Sequence, residues 1–300
     1  GAEAYIIEAL DWLNIPFDEG PGKEARFGPY RQSERKHLYK QYADQLIASG
    51  NAYYAFDTTE ELQIQREQYD AKKETFIYNW HNREQLNNSL SLSEEEIQAK
   101  LTAGDKYVIR FKSPEDQTLH LNDLIRGDIK IETRVLDDKV LFKSDGMPTY
   151  HLANIVIRGE EWLPSLALHQ QIYDAFGWPA PKFAHLSLIL KPTGKGKLSK
   201  RDGDIGGFPV FPLAWNSSDG DAFMGYREEG YLPAAVVNML AFLGWNPGTE
   251  QEIFSLKELV EAFSLEHVHK AGAKFDPKKT LWFQNQYLQN EDNSVLAAQF

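Results

Sequence analysis

The sequence predicts an α/β architecture built around a phosphate-binding loop, with a polar module inserted ahead of the loop and a mainly helical region behind it. Three observations carry this reading. First, the apolar run Leu186-Ser187-Leu188-Ile189-Leu190 has the character of a buried strand and runs straight into a basic, glycine-bearing loop. Lys191, Lys195, Lys197, Lys200 and Arg201 crowd five cations into eleven positions there, and Gly194 and Gly196 let the backbone bend closely around a ligand. A loop past the carboxyl end of a strand is where open α/β sheets bind ligands. Second, residues 57 to 103 turn polar and helical in pattern while short β-type runs flank them. Third, 300 residues with 42% hydrophobic side chains suffice for about two domains with buried cores.

The elements follow in order. Ala4-Tyr5-Ile6-Ile7-Glu8-Ala9-Leu10-Asp11-Trp12-Leu13 spaces its apolar residues as a helix does, and Pro16 ends it. A second helix, with Ser33 as its cap, shows Leu38, Tyr42, Leu46 and Ile47 on one face and stops at Gly50. Tyr53 to Phe56 reads as a strand. Helix starts are expected at Thr59-Glu60-Glu61-Leu62 and Ser93-Glu94-Glu95-Glu96, and strands at Tyr107–Phe111, Asp128–Ile131 and Lys139–Phe142. Leu166 to Phe176 is a helix closed by Gly177. Beyond the loop, Phe208-Pro209-Val210-Phe211-Pro212 is stiff and apolar, and 216 to 222 is a polar turn. Tyr231 to Trp245 predicts an apolar helix with proline near its start, followed by helices at Leu256 to Phe263 and from Trp282.

Composition narrows the classes of function. No apolar run approaches the ~18 residues of a membrane span, and the N-terminus lacks the basic and apolar regions of a signal peptide. The absence of cysteine rules out disulfides and thiolate zinc sites. These features predict a cytoplasmic protein with no membrane partner. A net charge of -12 argues against a general nucleic-acid coat, so any RNA binding must rest on local basic patches. The loop is one, and Arg31, Arg35, Lys36 and Lys40 form another, although either pattern also suits a solvated face.

Lys197-Leu198-Ser199-Lys200-Arg201 resembles the Lys-Met-Ser-Lys-Ser signature of class I aminoacyl-tRNA synthetases, in the form typical of bacterial glutamyl-tRNA synthetases. The resemblance runs from Gly1-Ala2-Glu3 to Gly272-Ala273-Lys274-Phe275-Asp276. It implies a Rossmann-like nucleotide-binding fold lacking its first part, an inserted α+β acceptor-binding module and a mainly helical stem-contact region. The corresponding boundaries are 1–51 and 141–195 for the catalytic domain, 52–140 for the module, and 196–300 for the signature loop, the stem-contact region and the start of an anticodon-binding part.

The resemblance also implies roles. Lys197 and Lys200 are the expected catalytic cations, and ATP would touch Leu198, Ser199, Lys200, Arg201, Glu161, Trp162 and His185. Tyr150, Asn154 and Arg158 would hold glutamate, and a guanidinium fork suits a carboxylate substrate. Arg31, Gln32, Ser33 and Arg35 would lie near the tRNA end. Trp162 equally suits core packing and His185 a structural role. The implied partners are L-glutamate, ATP with Mg2+, and tRNA(Glu), with the protein acting as a monomer. Some bacterial relatives hold zinc with cysteines near the start of the module. No zinc is expected here, where Tyr53, Tyr54 and Phe56 stand.

Two departures qualify the resemblance. Relatives carry a segment on the order of ten residues between the positions of Asn154 and Arg158, where only Ile155-Val156-Ile157 stand, a connection shorter than the usual several residues. The expectation is that residues are missing from this stretch of sequence rather than deleted from the protein. The His-Ile-Gly-His-type signature of the class does not occur among the 300 residues, so this stretch alone is expected to be inactive. A glutaminyl-tRNA synthetase, a short paralogue that glutamylates a tRNA base, and a non-catalytic tRNA-binding fragment remain as alternatives.

Overall fold

The computed structural model describes residues 1–23, 26–149, 157–216 and 220–299. It separates into two compact units, each discontinuous in sequence. Residues 19–158 and 162–184 form one, called here the sheet unit; residues 1–18, 159–161 and 185–300 form the other, the loop unit. The chain opens in the loop unit with helix α1 (Ala2–Trp12), one residue shorter than predicted at its end.

In the sheet unit the first helix is α2 (Lys36–Ala48). Ser33 does not cap it: a single 3-10 turn, Gln32–Arg35, intervenes and Arg35 takes the cap position without a side-chain bond. The buried stripe is Tyr39, Ala43 and Leu46, so the helix is rotated slightly from the face expected, and Tyr42 lies half-buried beside it. That stripe packs on a three-stranded antiparallel sheet of β1 (Ala52–Ala55), β2 (Val108–Phe111) and β5 (Val140–Phe142), in the order β1-β2-β5. Between β1 and β2 lie α3 (Thr59–Asp70) and α4 (Glu94–Ala103), and both begin with a reciprocal capping box. Thr58 pairs with Glu61 and Ser93 with Glu96. A hairpin of β3 (Thr118–Asp123) and β4 (Gly127–Glu132) precedes β5. Its first strand escaped the sequence reading because Thr118-Leu119-His120-Leu121-Asn122-Asp123 shows little apolar content. Beyond β6 (Ile157–Gly159), α5 (Leu166–Phe176) ends as predicted in left-handed Gly177, and β7 is Ala184–Leu186.

The core of the sheet unit contains a buried charge. The Asp138 side chain is fully buried and accepts hydrogen bonds from the Tyr53 hydroxyl at 2.8 Å, the Ser113 amide at 3.0 Å and Arg83 Nη1 at 3.3 Å. Arg83, itself only 2% exposed, also donates to the Ser113 carbonyl at 2.9 Å and pairs with Glu115 at 2.8 Å. Arg110 donates to the Asp138 backbone oxygen and lies 3.9 Å from the centre of the Tyr78 ring. Burial pushes the Asp138 carboxyl up, opposed by the Tyr53 hydroxyl and the Arg83 charge. The residues joined here stand at 53, 83, 113 and 138, so one carboxylate ties β1 to three distant segments of chain.

The rest of the loop unit is mostly helical. After β8 (Ile189–Leu190) and α6 (Lys200–Gly206) comes a small hairpin of β9 (Trp215–Asn216) and β10 (Ala222–Phe223). Helices α7 (Pro233–Ala241) and α8 (Leu256–Ala262), strand β11 (Ala273–Lys274), and helices α9 (Pro277–Asn290) and α10 (Asn293–Gln299) complete it. Its core joins Leu13, Tyr226, Val236, Met239, Phe275 and Phe283. Asp276 caps α9 by accepting from the amides of Lys278 and Lys279, which starts that helix five residues before the expected Trp282.

Replacing Asp138 with alanine is expected to lower the stability of the chain by about 3 kcal/mol, the lower end of the range for breaking a buried pair because Glu115 retains one arm of Arg83. The double change Arg83→Met with Asp138→Leu is expected to cost less than the two single changes added together. Chemical denaturation of these four variants measures this; a loss below ~1 kcal/mol for Asp138→Ala, typical of an exposed pair, would show that the node is not structural.

Candidate functional site

The phosphate loop is a tight reversal between two short extended segments. The apolar run before it is not one buried strand: β7 ends at Leu186, which is 40% exposed, and only Ile189 and Leu190 form β8. The Ser187 hydroxyl interrupts the run by donating to the His269 carbonyl at 3.0 Å. Strand β8 leads directly into the loop, as expected, and pairs in parallel with β11. Gly272 makes that pairing possible, since a Cβ there would stand 2.8 Å from the Leu190 side chain. The chain returns with the Leu198 amide donating to the Ile189 carbonyl at 2.8 Å and the Lys191 amide to the Gly196 carbonyl at 3.1 Å. Gly194 and Gly196 take φ values of 78° and 105°, the left-handed region that the reversal requires. Leu198 drops its side chain against the core of the loop unit and anchors the turn.

Each of three loop cations meets a carboxylate within the same unit. Lys197 Nζ lies 2.5 Å from Glu161, Lys191 Nζ 2.9 Å from Asp202, and Lys200 Nζ 3.8 Å from Asp221. Asp202 does double duty: its Oδ2 accepts from the Ser199 amide at 2.8 Å and the Ser199 hydroxyl at 2.6 Å, closing the first turn of α6. The hydrogen bond from Ser199, then that from Lys191, holds the Asp202 carboxyl below its ordinary value. Glu160 accepts from the Leu188 amide at 2.9 Å, so neighbouring acids secure both the strand before the loop and the loop itself. Arg201 is exposed on the first turn of α6.

The remaining predicted residues are placed as follows. His185 is buried to 1% in β7, and the Trp162 indole is 41% exposed. Tyr150 and Asn154 lie outside the described residues, as does the side chain of Arg158, whose backbone belongs to β6. In the sheet unit Arg31 pairs with Glu34 at 3.2 Å and Gln32 donates to the Pro148 carbonyl at 3.3 Å. Arg35 bonds the backbone oxygens of Pro29 and Phe27. Ser33 lines a cavity of about 750 Å3 whose wall includes Lys36, His37, Lys40, Lys106 and Lys143. Lys106 and Lys143 were not singled out because they come from segments remote in sequence. Asp202 was missed too, although the Ser199-x-x-Asp202 spacing resembles a capping box and signals it.

Residues 1–282 match the family described as tRNA synthetases class I (E and Q), catalytic domain. The chain belongs to that family. As a class I synthetase catalytic domain, it is 68% identical to the glutamate–tRNA ligase of Christiangramia forsetii over the whole of this chain and 62% of that protein. That alignment runs over 311 positions, more than the 300 residues here, so the relative carries residues without a counterpart. The corresponding ligase of Flavobacterium johnsoniae is 64% identical, again with all of this chain and 62% of the relative covered. Among solved structures, a glutamate tRNA ligase of Elizabethkingia meningosepticum in complex with its amino acid superposes with a TM-score of 0.95 at 53% identity, covering 98% of this chain and 61% of that one. The chain thus spans about three fifths of the length of the relatives it matches. The α/β fold class predicted from the loop is that of this synthetase domain.

The Asp202 contact has a pH signature. Because its folded pKa lies below the unfolded value, its contribution to the synthetase loop is complete above the ordinary carboxylate range and is lost as pH falls through the depressed value. Carboxyl titration followed by NMR is expected to show a midpoint below the ~3.9 of an unperturbed aspartate, rising in a Lys191→Ala variant. A midpoint at or above 3.9 would show that the cap does not form.

Proposed function

We propose that the protein carrying this chain attaches glutamate to its cognate tRNA through a glutamyl-adenylate. The observation that carries the reading is the lysine loop held at the start of α6 in a chain of the E and Q synthetase family. The α-carboxylate of glutamate attacks the α-phosphorus of ATP, the bond to the bridging oxygen of pyrophosphate breaks, and the mixed anhydride forms. A hydroxyl of the terminal tRNA ribose then takes the acyl group and releases AMP. Lys197 and Lys200 neutralise the charge growing on the phosphates, and Mg2+ bound with ATP would supply further positive charge there. No side-chain nucleophile is required, since the acyl donor is made on the substrate itself.

Within the loop unit, the 2.5 Å bond between Lys197 and Glu161 has to exchange for one between Lys197 and phosphate. Glu161 is then left beside the nucleotide, which suits its assignment to the adenosine. Leu198, Ser199 and Arg201 are assigned to ATP as members of the same signature. Arg158 is assigned the side-chain carboxylate of glutamate, with Tyr150 and Asn154 as neutral donors, and Trp162 and His185 are assigned to the adenosine. These assignments rest on chemistry and on the family resemblance. In the sheet unit the cavity lined by Ser33, Lys36, Lys40, Lys106 and Lys143 offers cations to the phosphates near the tRNA end, consistent with the roles given to Arg31, Gln32 and Arg35. The names of the relatives favour glutamate over glutamine.

Full-length wild-type protein is expected to catalyse glutamate-dependent exchange between ATP and pyrophosphate in the presence of tRNA(Glu), with glutamine inert. Lys200→Ala should lower the rate about 10²- to 10³-fold, the loss typical of removing one group that stabilises developing charge. Exchange with glutamine only would reassign the substrate, and an unaffected Lys200→Ala variant would remove the lysine from the chemistry.

A further inference from the structure

The segment that follows α6 is built against the helix that carries Lys200. Gly203 and Gly206 give α6 a flat side: a Cβ at Gly203 would stand 2.7 Å from the Phe208 carbonyl oxygen and overlap Val210, and one at Gly206 would overlap the Phe208 ring. Gly207 turns the chain in the left-handed region and residues 208–216 follow, with Phe208 and Val210 directly on that side. They are pinned from below. The Tyr5 hydroxyl donates to the Leu213 carbonyl at 2.7 Å and accepts from the Leu213 amide at 3.2 Å, and the Tyr5 ring meets Trp215 edge-on at 5.0 Å. The Ala214 amide donates to Glu228 at 2.6 Å. Gly225 lets the returning strand cross the Leu213 backbone, since any Cβ there would collide with it.

This strap leads to β10, which lies beside Lys200. Its Nζ lies 3.8 Å from Asp221 Oδ2 and 5.0 Å from the centre of the Phe223 ring, at the edge of a cavity of about 200 Å3 that Phe208 and Phe211 also line. The Phe223 ring is backed in turn by Phe211 at 5.8 Å. The ammonium therefore lies near both a carboxylate and an aromatic ring, neither of which belongs to its own helix. Both contacts are weak and exposed, which suits a partner that has to be given up.

We infer that Asp221 and Phe223 are positioning residues for Lys200, holding its ammonium on the β9–β10 hairpin until an ATP phosphate displaces it. The inference rests on the proposed function and deepens it: the hairpin competes with phosphate for Lys200, and so sets the apparent affinity for ATP without touching the reacting atoms. Nothing is made or broken covalently in the exchange; one counter-anion replaces another.

The test uses the full-length protein, with ATP binding measured by calorimetry and ATP–pyrophosphate exchange measured in parallel. Asp221→Asn removes the competing charge and nearly keeps the shape. It is expected to tighten ATP binding and lower the KM for ATP two- to fivefold, with kcat and the KM for glutamate unchanged. Asp221→Glu should restore the wild-type KM. In a Lys200→Ala background Asp221→Asn should have no effect on ATP binding. Phe223→Leu should shift the KM in the same direction as Asp221→Asn, by less. A purely structural hairpin predicts the reverse, a higher KM or lower kcat accompanied by a lower melting temperature in both variants. Wild-type protein that binds ATP while Asp221→Asn binds it no more tightly overturns the inference alone. Wild-type protein that fails to bind ATP overturns the functional reading and the inference with it.

Discussion

A loop that gathers five cations into eleven residues repels itself, and the loop unit is arranged around that constraint. The clustered lysines need counter-charges, and those the structure shows come from outside the reversal. Glu161 reaches Lys197, Asp202 on α6 reaches Lys191, and Asp221 on the hairpin reaches Lys200. The acids come from three parts of the chain, so each of these cations has its own counter-ion. The surplus of acid that gives the chain its net charge of -12 is thus in part local and purposeful.

Apolar contacts and glycines fix where those charges stand. Leu198 is the apolar foot between two lysines, and its burial in the core of the loop unit determines which way Lys197 and Lys200 project. Gly272 lets β11 lie close on β8 and sets the strand from which the loop springs; Gly203 and Gly206 do the same for the strap on α6. A Cβ at Gly203 or Gly272 would crowd the facing backbone oxygen of Phe208 or Leu188, and one at Gly206 would overlap the Phe208 ring. Precision in the electrostatics therefore depends on close packing of the backbone, which costs entropy at each glycine and gains geometry.

How much of this could be read from the residues follows from the range of each interaction. Local signals were legible: the capping boxes at Thr58 and Ser93, the Gly177 terminator and the basic reversal itself all depend on residues within a few positions. The apolar run at 186–190 was misjudged because period alone cannot show that Ser187 bonds the distant His269 carbonyl and divides the run in two. Ser33 has the chemistry of a cap but stands one 3-10 turn too early. The pairings of Lys197 with Glu161 and of Tyr53 with Asp138 cross 36 and 85 residues, and no local pattern announces them. Loop chemistry was thus visible, and so was the local signal for Asp202, while Glu161 and Asp221 as counter-charges were not, because they meet the loop cations only in space.

The two ionic systems of the chain illustrate opposite uses of one interaction. Asp138 and Arg83 are withdrawn from water, so leaving either alone exposes a bare charge to a low-dielectric interior, and the pair cannot exchange partners without unfolding the sheet unit locally. Lys197 and Lys200 have side chains 58% and 41% exposed, and water can take over either partner at little cost. Exchangeable pairs suit the role proposed for the loop, since an incoming anion would have to offset only the small energy of the contact it displaces. A buried pair at the same position would hold the lysine more firmly and subtract that firmness from substrate binding. Burial thus separates the charges that maintain the fold from those that water can reach and that can change partner.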